Sequence, residues 1–461
     1  MTKDQRTYEL GNKKVSKLLL KYSAPALIGM VVNSLYNLVD TIFIGQGVGT
    51  MAIAAMSVSF PVQLIVMAVA TAIGVGAGSL ISRCLGKDEQ QKAERVAGTS
   101  MVTAGILGLT LSFIGIPLIK PILKIFGATE AIIPYASDYL TVILMGSTFF
   151  SMAVSTNNLV RAEGNAKVAM WTTVTGTGFN IILDPIFIFT LNMGIKGAAT
   201  ATIISQFLSL CFVMGYFMKK KSILKVSRKD LIPDFSLLPE IISVGSSSFF
   251  RTAALSAFAA VLNNSIVHYG TNLHLAVFGV ASRLMAFMIM PLFGVVQGLQ
   301  PIIGFNYGAR NMLRVKKSLK LGISVATVIS TLSFLLLMFF PGAVISVFNN
   351  DPELIKTGIP IIRIVSIFLP VVGFQTIGAS LFQAIGKALP ALFLALSRQV
   401  LLLLPLVLIL PIFFGISGIW FAFPISDIVA AIITLIWVVR EVKLMNRKIE
   451  YSRDEKTPEA V

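Results

Sequence analysis

Three acidic residues stand inside long apolar runs of this 461-residue chain: Asp40, Asp184 and Asp427. A carboxylate at a bilayer centre costs roughly 2.5–3.5 kcal/mol on insertion scales, so each points to a task such as ion binding, proton exchange or a buried ion pair. The first two have polar company at helical spacing. Asn33, Tyr36, Asn37 and Asp40 follow i, i+3, i+4, i+7 and share one helix face. Thr173, Thr177, Asn180 and Asp184 form a similar stripe, and Thr202, Ser205 and Gln206 another. At ~1.5 Å rise per residue, Asp40 and Asp184 fall about two turns before the outer ends of their runs, and Thr202 about two turns after the outer start of its own. Asp40, Asn180, Asp184 and Thr202 therefore meet at one depth. Two carboxylates, an amide and a hydroxyl are a donor set for a small cation such as Na⁺, or for shared protons. Such groups also serve as hydrogen-bonded glue between helices, but two ionisable groups cost more than glue requires. Asp427 differs: Arg398 on the adjoining run can approach it, and a structural ion pair is expected. Asp138 is set aside because it lies close to the outer end of its run.

These residues need elements to hold them in a membrane. Of the chain, 55% is apolar and 13% charged, with mean hydropathy +0.84. About twelve apolar runs recur, near 22–46, 53–81, 97–119, 132–159, 168–190, 197–218, 239–267, 275–304, 321–341, 357–385, 389–414 and 418–439. Helices are expected, because a lipid-exposed backbone must satisfy its own polar groups. The fold class is an all-α polytopic membrane protein: twelve transmembrane helices in two pseudo-symmetric six-helix bundles.

Two bundles follow from a repeat. Gly164 and Gly386, within Arg161-Ala-Glu-Gly and Gln383-Ala-Ile-Gly, stand 222 residues apart, as do Gly86 and Gly308, while Gly197 and Gly418 stand 221 apart. A near-constant shift implies a duplicated unit, a plan in which transporters bind their substrate between the halves. The expected units are 1–225, with spans 1–6 and the cation site, and 226–461, with spans 7–12 and a short cytosolic tail. Shifted by 221, Asp40 falls on Val261 and Asp184 on Pro405, so the cation chemistry belongs to the first unit.

The net charge of +17 raises nucleic acid as a partner, and its placement excludes it. Of 38 Lys and Arg, 30 fall on one side when loops alternate, counting Arg161 among them; only Lys120, Lys124, Lys196 and Lys356 fall on the other. Arg251, Arg283, Arg363 and Arg398 lie within spans. This positive-inside bias puts both termini in the cytoplasm of a cell whose inner membrane holds the chain. The Lys219–Lys229 stretch then faces anionic lipid. A polar first twenty residues argue against a cleavable signal peptide. Cys84 and Cys211 are too few for a disulfide framework, and His268 and His274 read as interfacial polar residues. Nothing resembles a Walker loop, so no nucleotide or other cofactor is expected. A monomer is expected, with the bilayer and small molecules as partners.

Leu35-Tyr-Asn-Leu-Val-Asp-Thr41, Gly74-Val-Gly-Ala-Gly78, Asn180-Ile-Ile-Leu-Asp-Pro185, Gly197-Ala-Ala-Thr-Ala-Thr202, Gln297-Gly-Leu-Gln-Pro301 with Asn306-Tyr-Gly-Ala309, and Pro424-Ile-Ser-Asp427 resemble the multidrug and toxic compound extrusion (MATE) family over residues ~15–440. The first-half acids are similar to those of its DinF-like and neighbouring prokaryotic branches. The resemblance implies efflux of lipophilic organic cations or drugs in antiport with H⁺ or Na⁺, and a cation site at positions matching Asp40, Asn180, Asp184 and Thr202. It also suggests that Pro25 lets span 1 bend; an N1 proline at a helix start is the other reading. The NorM-like arrangement of acids on spans 7 and 10 is missing, since Arg251, Gln375 and Gln383 stand there.

A substrate cleft is placed near Tyr36, Asn37, Asn157, Asn158 and Met285. Gly74, Gly76 and Gly78 allow close helix packing. The rival reading is a flippase for a lipid-linked sugar or other amphiphile, which needs a cationic cleft; Arg251, Arg283 and Arg363 keep it open. An enzyme would need a reactive constellation near an interface, and none is visible.

Overall fold

The computed structural model describes residues 3–348 and 351–454, so the end of the expected tail lies outside the described residues. A short polar helix, α1 (Lys3–Asn12), precedes the first long helix. The first half continues as α2 (Val15–Gly47), α3 (Thr50–Gly86), α4 (Gln90–Gly115), the short α5 (Ile119–Ile125), α6 (Ile133–Met145), α7 (Ser147–Ala162), α8 (Ala166–Pro185) and α9 (Gly194–Met218). The second half is α10 (Leu238–Tyr269), α11 (Asn272–Gly308), α12 (Met312–Phe339), the short α13 (Pro341–Ser346), α14 (Pro352–Ser366), α15 (Leu369–Ala384), α16 (Ala388–Leu396), α17 (Leu404–Phe414) and α18 (Ile416–Asp454). Among the described residues, 9 helices are long and apolar enough to cross a membrane, or 11 when each bent pair is one span. With the 32-residue α10 in seventh place the spans number twelve.

Several spans differ from simple rods. Span 4 is two helices, α6 and α7, bent by 52° at Gly146, where a Cβ would collide with Ile203. Span 10 bends by 45° between α14 and α15, just ahead of Pro370, which has no N–H to continue the ladder. Both α8 and α16 run into π-helical turns, Ile186–Thr190 and Ser397–Leu403, a geometry common at functional sites. The N1 reading of Pro25 is overturned: α2 starts at Val15, so the proline is internal. Its ring removes a hydrogen bond from the interior of α2.

The halves meet along a seam with pseudo-two-fold reciprocity. A Cβ on Gly86 would collide with the Phe305 carbonyl, and one on Gly308 with the Arg83 carbonyl. Positions 83 and 86 are the repeat partners of 305 and 308, so one contact is made twice, as an isologous interface demands. Gly74 and Gly78 face α7 while Gly76, two residues from each, faces α10 and abuts the Ile241 carbonyl. Ser79 Oγ donates to the Gln383 carbonyl, and Arg83 pairs with Glu240 at 2.9 Å. All these ties lie toward the ends that carry the basic loops. Along α3, the exposed positions, such as Phe60 and Met67, all precede residue 68. The seam is closed at the basic end.

Backbone approaches this close leave no room for a side chain. Gly245→Ala would drive its methyl into the Ala72 carbonyl. The expected cost is about 1–3 kcal/mol, read as a lower melting temperature of the solubilised protein. Unchanged melting would mean that the halves separate freely.

α1 straps the seam from below. Arg6 donates to Glu163 Oε1 at 3.0 Å and to the Tyr216 hydroxyl at 2.7 Å in the first half. The Leu10 carbonyl accepts from Asn306 and from Arg314 of the second half, both at 3.1 Å, and the Lys13 carbonyl accepts from Arg314. Glu163 also accepts from the Tyr216 hydroxyl, from Ser222 Oγ at 2.5 Å and from the Ile223 N–H at 2.9 Å. The basic linker therefore packs against the first half, with Ser222, Ile223 and Leu224 buried, rather than lying wholly against lipid.

Candidate ion site and central cavity

Asp40 on α2 and Asp184 at the end of α8 are buried, at 4% and 0% exposure, and are close enough for each to feel the other's charge. Asn180, one turn before Asp184, donates to its Oδ1 at 3.2 Å and to Thr202 Oγ1 of α9 at 3.4 Å. The structure thus brings Asp40, Asn180, Asp184 and Thr202 together from three helices. Pro185 and the π turn follow Asp184 directly, so the backbone beside the acid is irregular.

Three oxygens in this cluster are buried without a hydrogen-bond partner among the described residues: Asp40 Oδ1, Asp184 Oδ2 and Asn180 Oδ1. An unsatisfied buried acceptor costs about 1–3 kcal/mol, more when charged, so three in one place fit a ligand that accepts their lone pairs. A proton or a small hard cation such as Na⁺ meets that description.

Tyr36 belongs to the ion cluster rather than to the substrate cleft, since it stands beside Thr202 and Asp40 and does not line the cavity. Tyr139 of α6, beside Gln63 of α3, stands near both acids. Sequence reasoning passed over this tyrosine, although it adjoins Asp138. That acid pairs with Lys196 at 3.1 Å, half-exposed.

A cavity of about 720 Å³ lies between the halves. Asn157 and Asn158 line it, whereas Asn37 and Met285 do not: Asn37 donates back to the Asn33 carbonyl of its own helix, and Met285 packs against the core. The charged residues on the wall are Arg161, Arg251 and Arg398. Of the three arginines that kept the flippase reading open, Arg251 lines the cavity; Arg363 donates to the Met338 carbonyl, and Arg283 lies outside the lining. Arg161, counted as a loop cation from sequence, is part of α7 and donates to Gln297 across the seam. Neither Asp40 nor Asp184 lines the cavity.

Arg398, in the π turn after α16, donates through Nε to Asp427 of α18. Asp427 is buried while Arg398 keeps some solvent access. Asp427→Asn is expected to lower stability by about 2 kcal/mol and to leave ion dependence intact, because the arginine left behind is only partly desolvated. Melting curves together with ion-dependent transport check this; unchanged stability with lost ion dependence would reverse the assignment. His274 has a local task, accepting from the Thr271 backbone in a capping box that starts α11.

Twelve spans in two related bundles, a buried acid cluster in one and a cavity between them define a multi-pass membrane transporter rather than an enzyme. A family model described as MatE matches residues 25–186 and 247–409, two copies starting 222 residues apart, and the chain belongs to the MatE family. The chain is similar to the Multidrug export protein MepA of Staphylococcus haemolyticus (strain JCSC1435), 27% identical over 433 residues that cover 94% of this chain and 95% of the relative. The protein of the same description from Staphylococcus aureus (strain MSSA476) is 28% identical over 436 residues, covering 95% and 96%. A solved outward-facing conformation of a multidrug resistance MATE family transporter of the MOP superfamily matches with a TM-score of 0.89 at 29% identity, over 95% of this chain and 98% of that one.

Proposed function

We propose that the chain is a secondary active efflux transporter that moves amphiphilic drugs outward in exchange for H⁺ or Na⁺ by alternating access. The observation that carries this reading is the cluster of Asp40, Asn180, Asp184 and Thr202, with three unpartnered buried oxygens, set beside a cavity that is closed at one end. The coupling unit is residues 1–225 and its partner 226–461. With the basic loops read as cytoplasmic, the closed end and both termini face the cytoplasm of an inner membrane and the conformation is outward-facing. Proton or ion binding between Asp40 and Asp184 removes their repulsion and lets the helices of the first unit close, with α2 free to bend at Pro25. Closure shrinks the cavity and releases its contents. Multidrug export by the MepA relatives supports the assignment of drugs as cargo. Lipophilic organic cations are the class expected from the family resemblance; the apolar part of the wall suits their bodies, and its arginines do not suit their charge.

Proteoliposomes carrying the purified protein and a panel of fluorescent amphiphiles test the reading. Imposed proton or sodium gradients, applied separately, should each be scored for dye movement. Movement driven by one of them supports coupled efflux and names the ion. Dye movement that ignores both gradients sinks it.

A further inference from the structure

We infer that the central cavity takes an amphiphile with an anionic head, a carboxylate or phosphate group, held by Arg161 and Arg251; this deepens the efflux reading and rests on it for the direction of travel. The wall carries three guanidinium groups and no acid. Arg398 is neutralised by Asp427. The other two are not: the partner of Arg161 is the neutral amide oxygen of Gln297, and Arg251 lies 5.1 Å over the Phe293 ring. Neither pairs with an acid among the described residues. The buried acids of the ion cluster do not line the cavity and form no ion pair with these arginines. Desolvated cations without counterions are costly, and a transporter that keeps two of them facing its cavity has a use for them.

Their placement suits one head group. Phe293 and Gln297 are i and i+4 on α11, one turn or ~6 Å apart along the axis, so the two guanidinium groups address one face of one helix at neighbouring levels. Arg161 comes from α7 of the first half and Arg251 from α10 of the second, so a head group bound to both touches both halves. Carboxylate and phosphate oxygens match the planar fork of donors that a guanidinium presents. Leu64, Met67, Phe150, Leu255 and Ile289 supply an apolar wall for the body of the molecule. An anion that takes up the donors of Arg161 also competes with Gln297 for them, and that bond ties the halves together. Head-group binding and loosening of the seam are thereby linked.

The test is equilibrium binding, with no ion gradient, to the full chain in phosphatidylcholine nanodiscs. The probes are a fluorescent alkyl carboxylate, its neutral amide and its ammonium analogue. The carboxylate should bind about tenfold or more tightly than the amide, with the ammonium analogue weakest. Arg161→Gln and Arg251→Gln should each erase most of that preference, Arg251→Lys should keep part of it, and Arg283→Gln should leave it unchanged. Melting curves show which variants are folded, and the wild-type ranking of the three probes needs no variant. Competition identifies the source of the head group. Displacement of the carboxylate by phosphatidylglycerol in the disc assigns a membrane lipid, displacement by soluble dodecyl phosphate alone assigns a free amphiphile, and displacement by neither overturns the inference. Equal binding of carboxylate and amide, tighter binding of the ammonium, or a preference that survives both Gln variants overturns it as well. Gradient-driven movement of dyes without anion preference would defeat this inference and leave coupled efflux standing; anion preference without gradient-driven movement would do the reverse.

Discussion

Asp184→Asn is expected to bring gradient-driven efflux down to the level of empty liposomes while the protein still folds. The carboxamide neither ionises nor exchanges a proton, and it replaces one oxygen ligand of a cation with an N–H₂ donor. Stability should change by no more than about 1 kcal/mol: the hydrogen bond from Asn180 weakens, but the repulsion between Asp184 and Asp40 disappears, and the two effects oppose each other. Asp40→Asn should behave alike, because the two acids act as one site. Leu262 occupies the repeat position of Asp40 by the 222-residue shift; its neighbour Val261 provides the control, and Val261→Ala should transport normally. The measurement is dye movement in proteoliposomes under each gradient, beside a melting curve for each variant. Coupled transport retained by both Asn variants would remove the acids from the mechanism.

The second large effect concerns stability. Glu163→Ala is expected to cost about 3–5 kcal/mol, because Arg6, only 7% exposed, loses its counterion while Ser222 and the Ile223 N–H lose their acceptor. Arg6→Ala should cost a similar amount by stranding a carboxylate that is 0% exposed. Glu163→Gln keeps an acceptor for Ser222 and should fall between. In a double-mutant cycle the combined variant should be clearly more stable than the sum of the single losses predicts. Melting of the solubilised protein, with limited proteolysis of α1, reads both quantities. A Glu163→Ala protein that melts like the parent, with α1 still protected, would show that the strap does not depend on this carboxylate.

What could be read in the sequence were features that repeat along a single helix. Asp40 and Asp184 stood out because charge in an apolar run is rare, and Asn180 joined them through i, i+4 spacing. The repeat gave the pseudo-symmetric plan, down to the pairing of Gly86 and Gly308. Rotation and tilt between helices were not legible. Tyr139 and Gln63 approach the acids only because α6 and α3 turn those faces inward, and Tyr36 turned toward Thr202 instead of the cleft for the same reason. Arg161 read as a loop cation because α7 ends one residue later, and only its long side chain reaches back along the helix to the cavity. Glu163 gave no signal at all, since its partners lie 157, 53 and 59 positions away.

Those separations also order events while the chain is being made. The partners of Glu163 are at positions 6, 216, 222 and 223, so its bonds close once the ribosome has delivered the sixth span, and they need nothing from the second half. The carbonyls of Leu10 and Lys13 wait longer, until Asn306 and Arg314 emerge. α1 is therefore anchored in two stages, first to its own half and then across to the other. The first six spans can mature as one inserted unit, and the docked α1 is then a ready template on which the eighth and ninth spans settle as they leave the translocon.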